Sequence, residues 1–180
     1  RDLRMSRGLG DVYKRQNDMF QINDLVVYGK NGVCSVKGIG TLSLINNDRI
    51  YYTLVPVYNK EEIIYAPVEN GRIVMREVIS REDAKELIDI FPDLEETVVA
   101  DERDRENCYK QTLLGCNCEK LASMIKTIYN RKCKRISEGK KVTVVDEKYF
   151  RQAEEQLFGE LAFALDVDKT KISEMISERF

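Results

Sequence analysis

The first part of the chain alternates short apolar runs with turn residues, the pattern of antiparallel β structure. Val, Ile, Tyr and Leu dominate the runs, and Gly, Asn and Asp separate them. Strands are predicted at residues 25–28, 33–39, 42–45, 49–57, 62–65 and 72–75. Strands this short and this closely spaced predict a small rolled sheet or barrel, with Pro56 and Pro67 at strand ends or on an edge.

After residue 78 the spacing of apolar residues becomes that of amphipathic helices. Ser80, followed by Asp83, predicts an N-cap, and Pro92 ends the helix that follows. Further helices are predicted near residues 103–114 and 118–135, from a cap at Asp146 to about residue 165, and after a cap at Thr170. The predicted fold class is α+β, a small N-terminal antiparallel β barrel followed by a C-terminal helical bundle.

These patterns suggest how the chain is organised into domains. We expect a β domain at residues 19–78 and a helical domain at residues 79–180. Residues 1–18 show neither periodicity, and the stretch 6–16 resembles translated sequencing-adaptor sequence. Residues 1–18 are therefore predicted to be a non-native leader, with Met19 as the natural start.

Composition removes several classes of function. The chain has no His, which excludes Ser-His-Asp and Cys-His nucleophiles and His-ligated zinc. Cys116 and Cys118 form a single C-x-C pair, so we favour small apolar residues at a helix-to-helix turn over a metal site. No phosphate-binding loop is present, and Glu160 could be either solvent-facing or a buried structural residue. We expect no enzymatic activity, no cofactor and no bound metal.

Neither a membrane protein nor a secreted one is indicated. The apolar runs are far shorter than the roughly 20 residues that a membrane-spanning helix needs. The five cysteines do not follow the spacing of a disulfide scaffold, which suits a reducing compartment. We expect a cytoplasmic protein.

Charge is distributed unevenly, although the formal net charge is only −2. Residues 82–106 contain 11 acids and 3 bases, whereas residues 120–141 contain 8 bases and the single acid Glu138. A charge run is often only a solvated helix face. This one exceeds what solubility requires and predicts an anion-binding surface.

Five short motifs follow one another along the chain. They are Phe20-x-x-x-Asp24-x-Val26-Val27-Tyr28-Gly29-x-x-Gly32-Val33, Tyr51-Tyr52-x-Leu54, Ala66-Pro67-Val68 ahead of Arg76-Glu77-Val78-Ile79, Tyr109-Lys110, and Ala153-Glu154-x-x-Leu157-x-Gly159-Glu160-Leu161-Ala162. In this order they resemble the CarD/CdnL family of bacterial transcription regulators. The resemblance implies a Tudor-like module, shared with transcription-repair coupling factors, that binds the β-subunit lobe of RNA polymerase. It also implies a helical bundle that contacts promoter DNA at the upstream edge of the melted region.

The run at residues 62–65 is the predicted polymerase-binding edge. It carries one charged residue, Glu62, so its backbone could accept a strand from another chain. An ordinary edge covered by a local loop is the alternative, and the resemblance favours the partner site. Ile63, Ile64 and Tyr65 are the predicted RNA polymerase contacts.

The resemblance and the basic run together predict the DNA contacts. They are Arg103, Arg105, Lys110, Lys126, Arg131, Lys132, Lys134, Arg135, Lys140 and Lys141. Many members of the family insert a Trp into the minor groove shortly before the Tyr-Lys pair. This chain has no Trp, and the wedge position falls near Arg105. An Arg there could still enter a narrow groove or bind a phosphate.

We interpret the chain as a non-enzymatic regulator that binds the β subunit of RNA polymerase and contacts promoter DNA, mostly without sequence specificity. It would modulate the stability of the open promoter complex, with no membrane and no small-molecule substrate involved. The alternative is a protein-interaction domain whose basic helix binds an acidic partner, or the chain's own acidic residues 82–106, with no nucleic acid.

Overall fold

A computed structural model of the chain describes residues 19–43, 48–69, 71–99 and 101–179. Strands precede helices along the chain, which confirms the α+β class. The predicted leader at residues 1–18 and the second half of the strand predicted at residues 42–45 lie outside the described residues.

Five strands lie in the described part of the first half. They are β1 (Leu25–Tyr28), β2 (Val33–Thr41), β3 (Ile50–Pro56), β4 (Ile64–Pro67) and β5 (Met75–Glu77). They form an antiparallel sheet in the order β4-β3-β2-β1-β5. We predicted a rolled sheet or barrel, and because β4 and β5 are the two edges of the sheet, the barrel is not closed. Pro56 and Pro67 end their strands, as predicted.

Two predicted strands are displaced by their turns. Leu42 and Ser43 are not in a strand, because β2 continues to Thr41 and pairs it with Ile50. The predicted strand at 62–65 begins only at Ile64. Glu62 belongs instead to a turn, in which its backbone N–H donates to the Asn59 carbonyl at 3.2 Å.

The turn between β1 and β2 depends on glycine. Gly29 begins a short 3-10 turn, Gly29–Asn31, and has a φ of +48°. A Cβ at this position would lie 2.7 Å from Cγ2 of Ile73, closer than side-chain atoms normally approach. The backbone N–H of Gly29 donates to the Val74 carbonyl at 2.9 Å, which fixes the turn beside residues 73 and 74.

Five helices follow in the described residues: α1 (Arg81–Ile90), α2 (Arg105–Gly115), α3 (Cys118–Ser137), α4 (Val144–Leu165) and α5 (Lys169–Ser177). Their apolar faces form one core in which Leu121, Met124, Leu157, Leu161 and Ile172 have no solvent exposure. The helical spacing seen in the sequence therefore corresponds to real packing. No described helix has the length and apolar content that crossing a bilayer requires.

The helix caps correct two sequence predictions. Ser80 caps α1 as predicted, its hydroxyl accepting from the Asp83 N–H at 3.0 Å. Thr143 caps α4 in place of Asp146, accepting from the Asp146 N–H at 3.1 Å. The carboxylate of Asp146 cannot serve as the cap because it is buried among arginines. α5 begins at Lys169, so Thr170 is not its cap either.

The described residues divide into two compact units. The sheet unit comprises residues 19–26 and 34–71, with Val26, Val36, Leu54 and Ala66 fully buried in it. The helical unit comprises residues 27–33 and 72–179 and therefore includes β5 and the turn at Gly29. Each unit contains one of the candidate surfaces described below.

Candidate functional site

The β4 strand presents one side of its backbone away from the sheet. Its register pairs Ala66 with Tyr52 and Ile64 with Leu54. Two residues beyond Ala66, the Val68 N–H donates to the Ile50 carbonyl at 2.9 Å. Hydrogen-bonded and non-hydrogen-bonded pairs alternate in an antiparallel ladder, so Ile64 and Ala66 bond to β3. The N–H and C=O of Tyr65 therefore point outward.

Apolar side chains flank this outward backbone. Ile63 is 56% exposed and Tyr65 is 48% exposed, which is high for residues of their size. Ile64 is partly buried and lies between them. Two of the three predicted polymerase contacts are thus accessible side chains beside a free strand edge, a combination that suits strand addition by a partner.

Four of the ten predicted DNA contacts are engaged inside the helical unit. The Lys126 ammonium donates to the Leu94 carbonyl at 2.7 Å and to the Pro92 carbonyl. The Lys132 ammonium lies 3.1 Å from Glu147 and 4.3 Å from the centre of the Phe150 ring. The other two are Arg105 and Arg131, which share two carboxylates. These four cations hold elements of the bundle together.

Six predicted DNA contacts keep their charge at the surface. Lys140 pairs with Glu138 at 2.7 Å, and Arg135 donates through Nε to the Lys141 carbonyl at 2.9 Å. The other four are exposed, and among the described residues they make no ion pair or side-chain hydrogen bond: Arg103, Lys110, Lys134 and Lys141. These six residues are the candidate anion-binding groups of the helical unit.

Arg105 does not occupy a wedge-like position. Its side chain is buried, with Nε 3.3 Å from Oδ1 of the fully buried Asp146 and a second ion pair to Glu102. Asp146 also accepts from Arg131 Nε at 3.0 Å. The Arg105 guanidinium is thus engaged by two carboxylates inside the helical unit, and its contact with DNA stays a prediction.

The Tyr109-Lys110 motif separates into a core residue and a surface residue. Tyr109 is 1% exposed, and its ring lies 5.8 Å from that of Tyr149. Burial raises the pKa of Tyr109 to about 12, with a further contribution from Asp146. Lys110, the next residue along α2, is exposed. Tyr109 thus fixes the helix that presents Lys110 to solvent.

A second buried ion pair joins β5 to α4 within the helical unit. Arg76 binds Glu160 through two parallel hydrogen bonds of 2.6 and 2.7 Å. The Ile79 N–H donates to the same carboxylate at 2.9 Å. Glu160 is 1% exposed, which settles the open question about this residue in favour of a structural role.

Cys116 and Cys118 lie at the turn between α2 and α3, as predicted. Cys116 has a left-handed conformation at the end of α2, and its carbonyl accepts two hydrogen bonds from Arg76. Burial, together with the nearby Glu160 carboxylate, raises the pKa of Cys118 to about 12. The thiol is therefore protonated at neutral pH. Within the described ranges no group of three or more potential ligand side chains could hold a metal ion.

The sheet region matches a known domain. Residues 20–79 match the family model of the CarD-like/TRCF RID domain. This segment is a CarD-like RID domain. The family is transcription-related and interacts with RNA polymerase, and its domain is a non-enzymatic module for interaction and regulation. The predicted resemblance is confirmed for these residues, which include all five strands and end before α1.

Proposed function

We propose that this protein binds the β subunit of RNA polymerase through the outer edge of β4 and contacts promoter DNA through its helical unit. By binding the open promoter complex more tightly than the closed one, it would modulate the stability of the open complex. The observation that carries the proposal is the open, apolar β4 edge within a RID domain.

Strand addition at β4 would use both backbone and side chains. Tyr65 offers an outward N–H and C=O, and Pro67 offers an outward C=O, because both occupy non-hydrogen-bonded positions opposite β3. Burying an exposed side chain such as Ile63 adds about 1.5–3 kcal/mol to association. The partner strand would gain affinity from the ladder and specificity from the side chains.

Replacing Tyr65 with Pro tests this edge. Proline removes the outward N–H but leaves the bonds of Ile64 and Ala66 to β3 in place, and an edge strand tolerates it there. We expect at least a tenfold loss of affinity for the isolated β-subunit lobe, measured by biolayer interferometry. Tyr65→Phe keeps the N–H and the ring and should bind like the parent. If Tyr65→Pro also binds like the parent, β4 is not the contact.

Contact with DNA would rest on the six surface cations of the helical unit. Nearby acids offset some of them, so we expect about three to five phosphates to be neutralised and a slope of log K against log salt of roughly −3 to −4.5. Affinity without polymerase should be in the micromolar range or weaker, with little sequence preference.

A charge reversal with a matched control tests the DNA contact. Lys110→Glu should weaken binding to every duplex alike, whereas Lys85→Glu makes the same charge change on the acidic helix α1 and should have less effect. Salt titrations by fluorescence anisotropy measure both. Affinity that is insensitive to salt and to Lys110→Glu would refute a DNA role.

One observation favours the alternative in which the basic helix binds the chain's own acidic segment. Glu102 contacts Arg131 on α3, and Glu96 accepts from Asn130 on the same helix at 2.6 Å. In that case added acidic peptide, and not DNA, would compete for the helical unit. Adding acidic peptide or DNA separately to the parent protein, and measuring which of them binds the helical unit, distinguishes the two functions.

A further inference from the structure

Two arginines direct their guanidinium groups at one exposed carboxylate. Glu102 accepts from Arg131 at 2.5 and 2.9 Å through its two oxygens, and the second oxygen also contacts Arg105. The Glu102 side chain is 63% exposed. It lies in the turn from Asp101 to Asp104, ahead of α2, in which the Asp104 N–H donates to the Asp101 carbonyl at 3.0 Å.

A second carboxylate holds the same arginines from inside. Asp146 has no solvent exposure and lies within 3.3 Å of Nε of both Arg105 and Arg131. The two arginines and Asp146 together carry a net charge of +1, which Glu102 reduces to zero. Asp146 orients the guanidinium groups, and Glu102 is the one anion of the cluster that solvent reaches freely.

The site formed by Arg105, Arg131 and Asp146, here called the cradle, suits a phosphate as well as a carboxylate. Guanidinium groups donate parallel hydrogen bonds to either anion. A phosphodiester group carries one negative charge, as Glu102 does, so an exchange of the two would leave the net charge of the cluster unchanged. Burial of Arg105 and Asp146 fixes the donors before any ligand arrives.

We propose that Arg105 and Arg131 form a phosphate-binding site that Glu102 occupies in the free protein, and that a backbone phosphate of nucleic acid competes with Glu102 for it. The proposal rests on the proposed DNA contact and deepens it. The intramolecular carboxylate lowers the DNA affinity of the free protein, because a phosphate must displace it before both arginines are engaged.

The test is Glu102→Gln in the full chain, with Glu119→Gln as the matched control. Glu119 is an exposed acid in the first turn of α3, so both changes remove one negative charge from the same unit. For Glu102→Gln we expect a three- to tenfold gain in duplex DNA affinity at low salt. The slope of log K against log salt should also become more negative by about 0.9, the contribution of one added phosphate. Glu119→Gln should change affinity by less than about twofold and leave the slope unchanged.

Arg131→Gln shows whether the gain in DNA affinity of Glu102→Gln depends on the cradle. In the double variant with Glu102→Gln the gain should disappear. A gain that persists without Arg131, or one that Glu119→Gln reproduces, would overturn the proposal. Circular dichroism of each variant confirms that the helices are intact.

Inorganic phosphate separates this proposal from the proposed function. Thermal stabilisation of Glu102→Gln by millimolar phosphate, absent in the Arg131→Gln double variant, would support the site even if no variant binds DNA. That combination would refute the DNA role alone. If DNA binds the parent but neither phosphate nor DNA distinguishes Glu102→Gln from Glu119→Gln, the cradle is wrong and the DNA role stands.

Discussion

Glu160→Ala removes the acceptor that joins β5, α4 and the turn between α2 and α3. Four donors converge on this carboxylate: two nitrogens of Arg76 at 2.6 and 2.7 Å, the Ile79 N–H at 2.9 Å and the Cys118 thiol at 3.3 Å. The Glu160 side chain is 1% exposed and that of Arg76 is 15% exposed. Without Glu160 the guanidinium charge of Arg76 would lie largely inside the protein without its counter-ion.

The expected loss of unfolding free energy is about 3–5 kcal/mol, the usual result of removing one partner from a buried ion pair. Arg76 keeps hydrogen bonds to the Cys116 and Glu77 carbonyls, which offset part of the loss. The Ile79 N–H would be left without its acceptor, which increases the loss of unfolding free energy by about 1–3 kcal/mol. Glu160→Gln should cost less, since its amide oxygen can still accept from Ile79.

Urea unfolding followed by far-UV circular dichroism measures this loss, because every described helix belongs to the unit that contains the pair. Asp89→Asn is the control. Asp89 pairs with Arg179 at 2.6 Å, but both side chains are substantially exposed, so we expect less than about 1 kcal/mol. A loss for Glu160→Ala as small as that of the control would refute the reasoning.

Three further outcomes are expected. Thiol titration near neutral pH should modify exposed Cys133 first and Cys118, which is partly buried and has a raised pKa, only on unfolding. The pKa of Cys118 rises from 9.0 to about 12 on folding, so its contribution to stability is complete below pH 9 and should decline as the pH rises towards 12. Urea unfolding at each pH, compared with that of Cys118→Ala, measures this decline. Gly29→Ala should destabilise the protein by about 1–2 kcal/mol, because its φ is positive and a Cβ would contact Ile73. Thermal denaturation should show a larger loss than for Gly139→Ala, a position with positive φ and nothing within 4 Å of the added Cβ.

Local patterns in the sequence predicted most of the secondary structure. Among the described residues the strand at 25–28 has its predicted bounds, four other predicted strands exist with shifted bounds, and the helices follow the predicted apolar spacing. Register was not predictable, because it depends on which residues of β3 face β4. From the sequence alone Ile64 is the natural site for a proline that blocks the edge. Its N–H bonds to β3, however, and the outward donor belongs to Tyr65.

The ion pairs were beyond prediction because they join residues far apart in the chain. Arg76 and Glu160 are separated by 84 positions, and Arg131 and Glu102 by 29. The charge pattern contains only neighbours in the sequence, so it predicted Arg131 to be a surface cation. It also placed Asp146 at a helix cap, where an acid is common, although this acid is the buried counter-ion of two arginines.

Counting the basic residues from Lys120 to Lys141 therefore overestimates the positive charge that is available to DNA. Acids from other elements face it: Glu102 before α2, and Asp146 and Glu147 at the start of α4. Of these three, only Glu102 sits where a phosphate could take its place in a cradle of two arginines. The slope of log K against log salt therefore depends on whether Glu102 blocks the two arginines as well as on the number of surface cations. A slope between roughly −3 and −4.5 corresponds to the surface cations alone, and a slope more negative than the parent's by about 0.9 in Glu102→Gln corresponds to a phosphate held by Arg131 and Arg105.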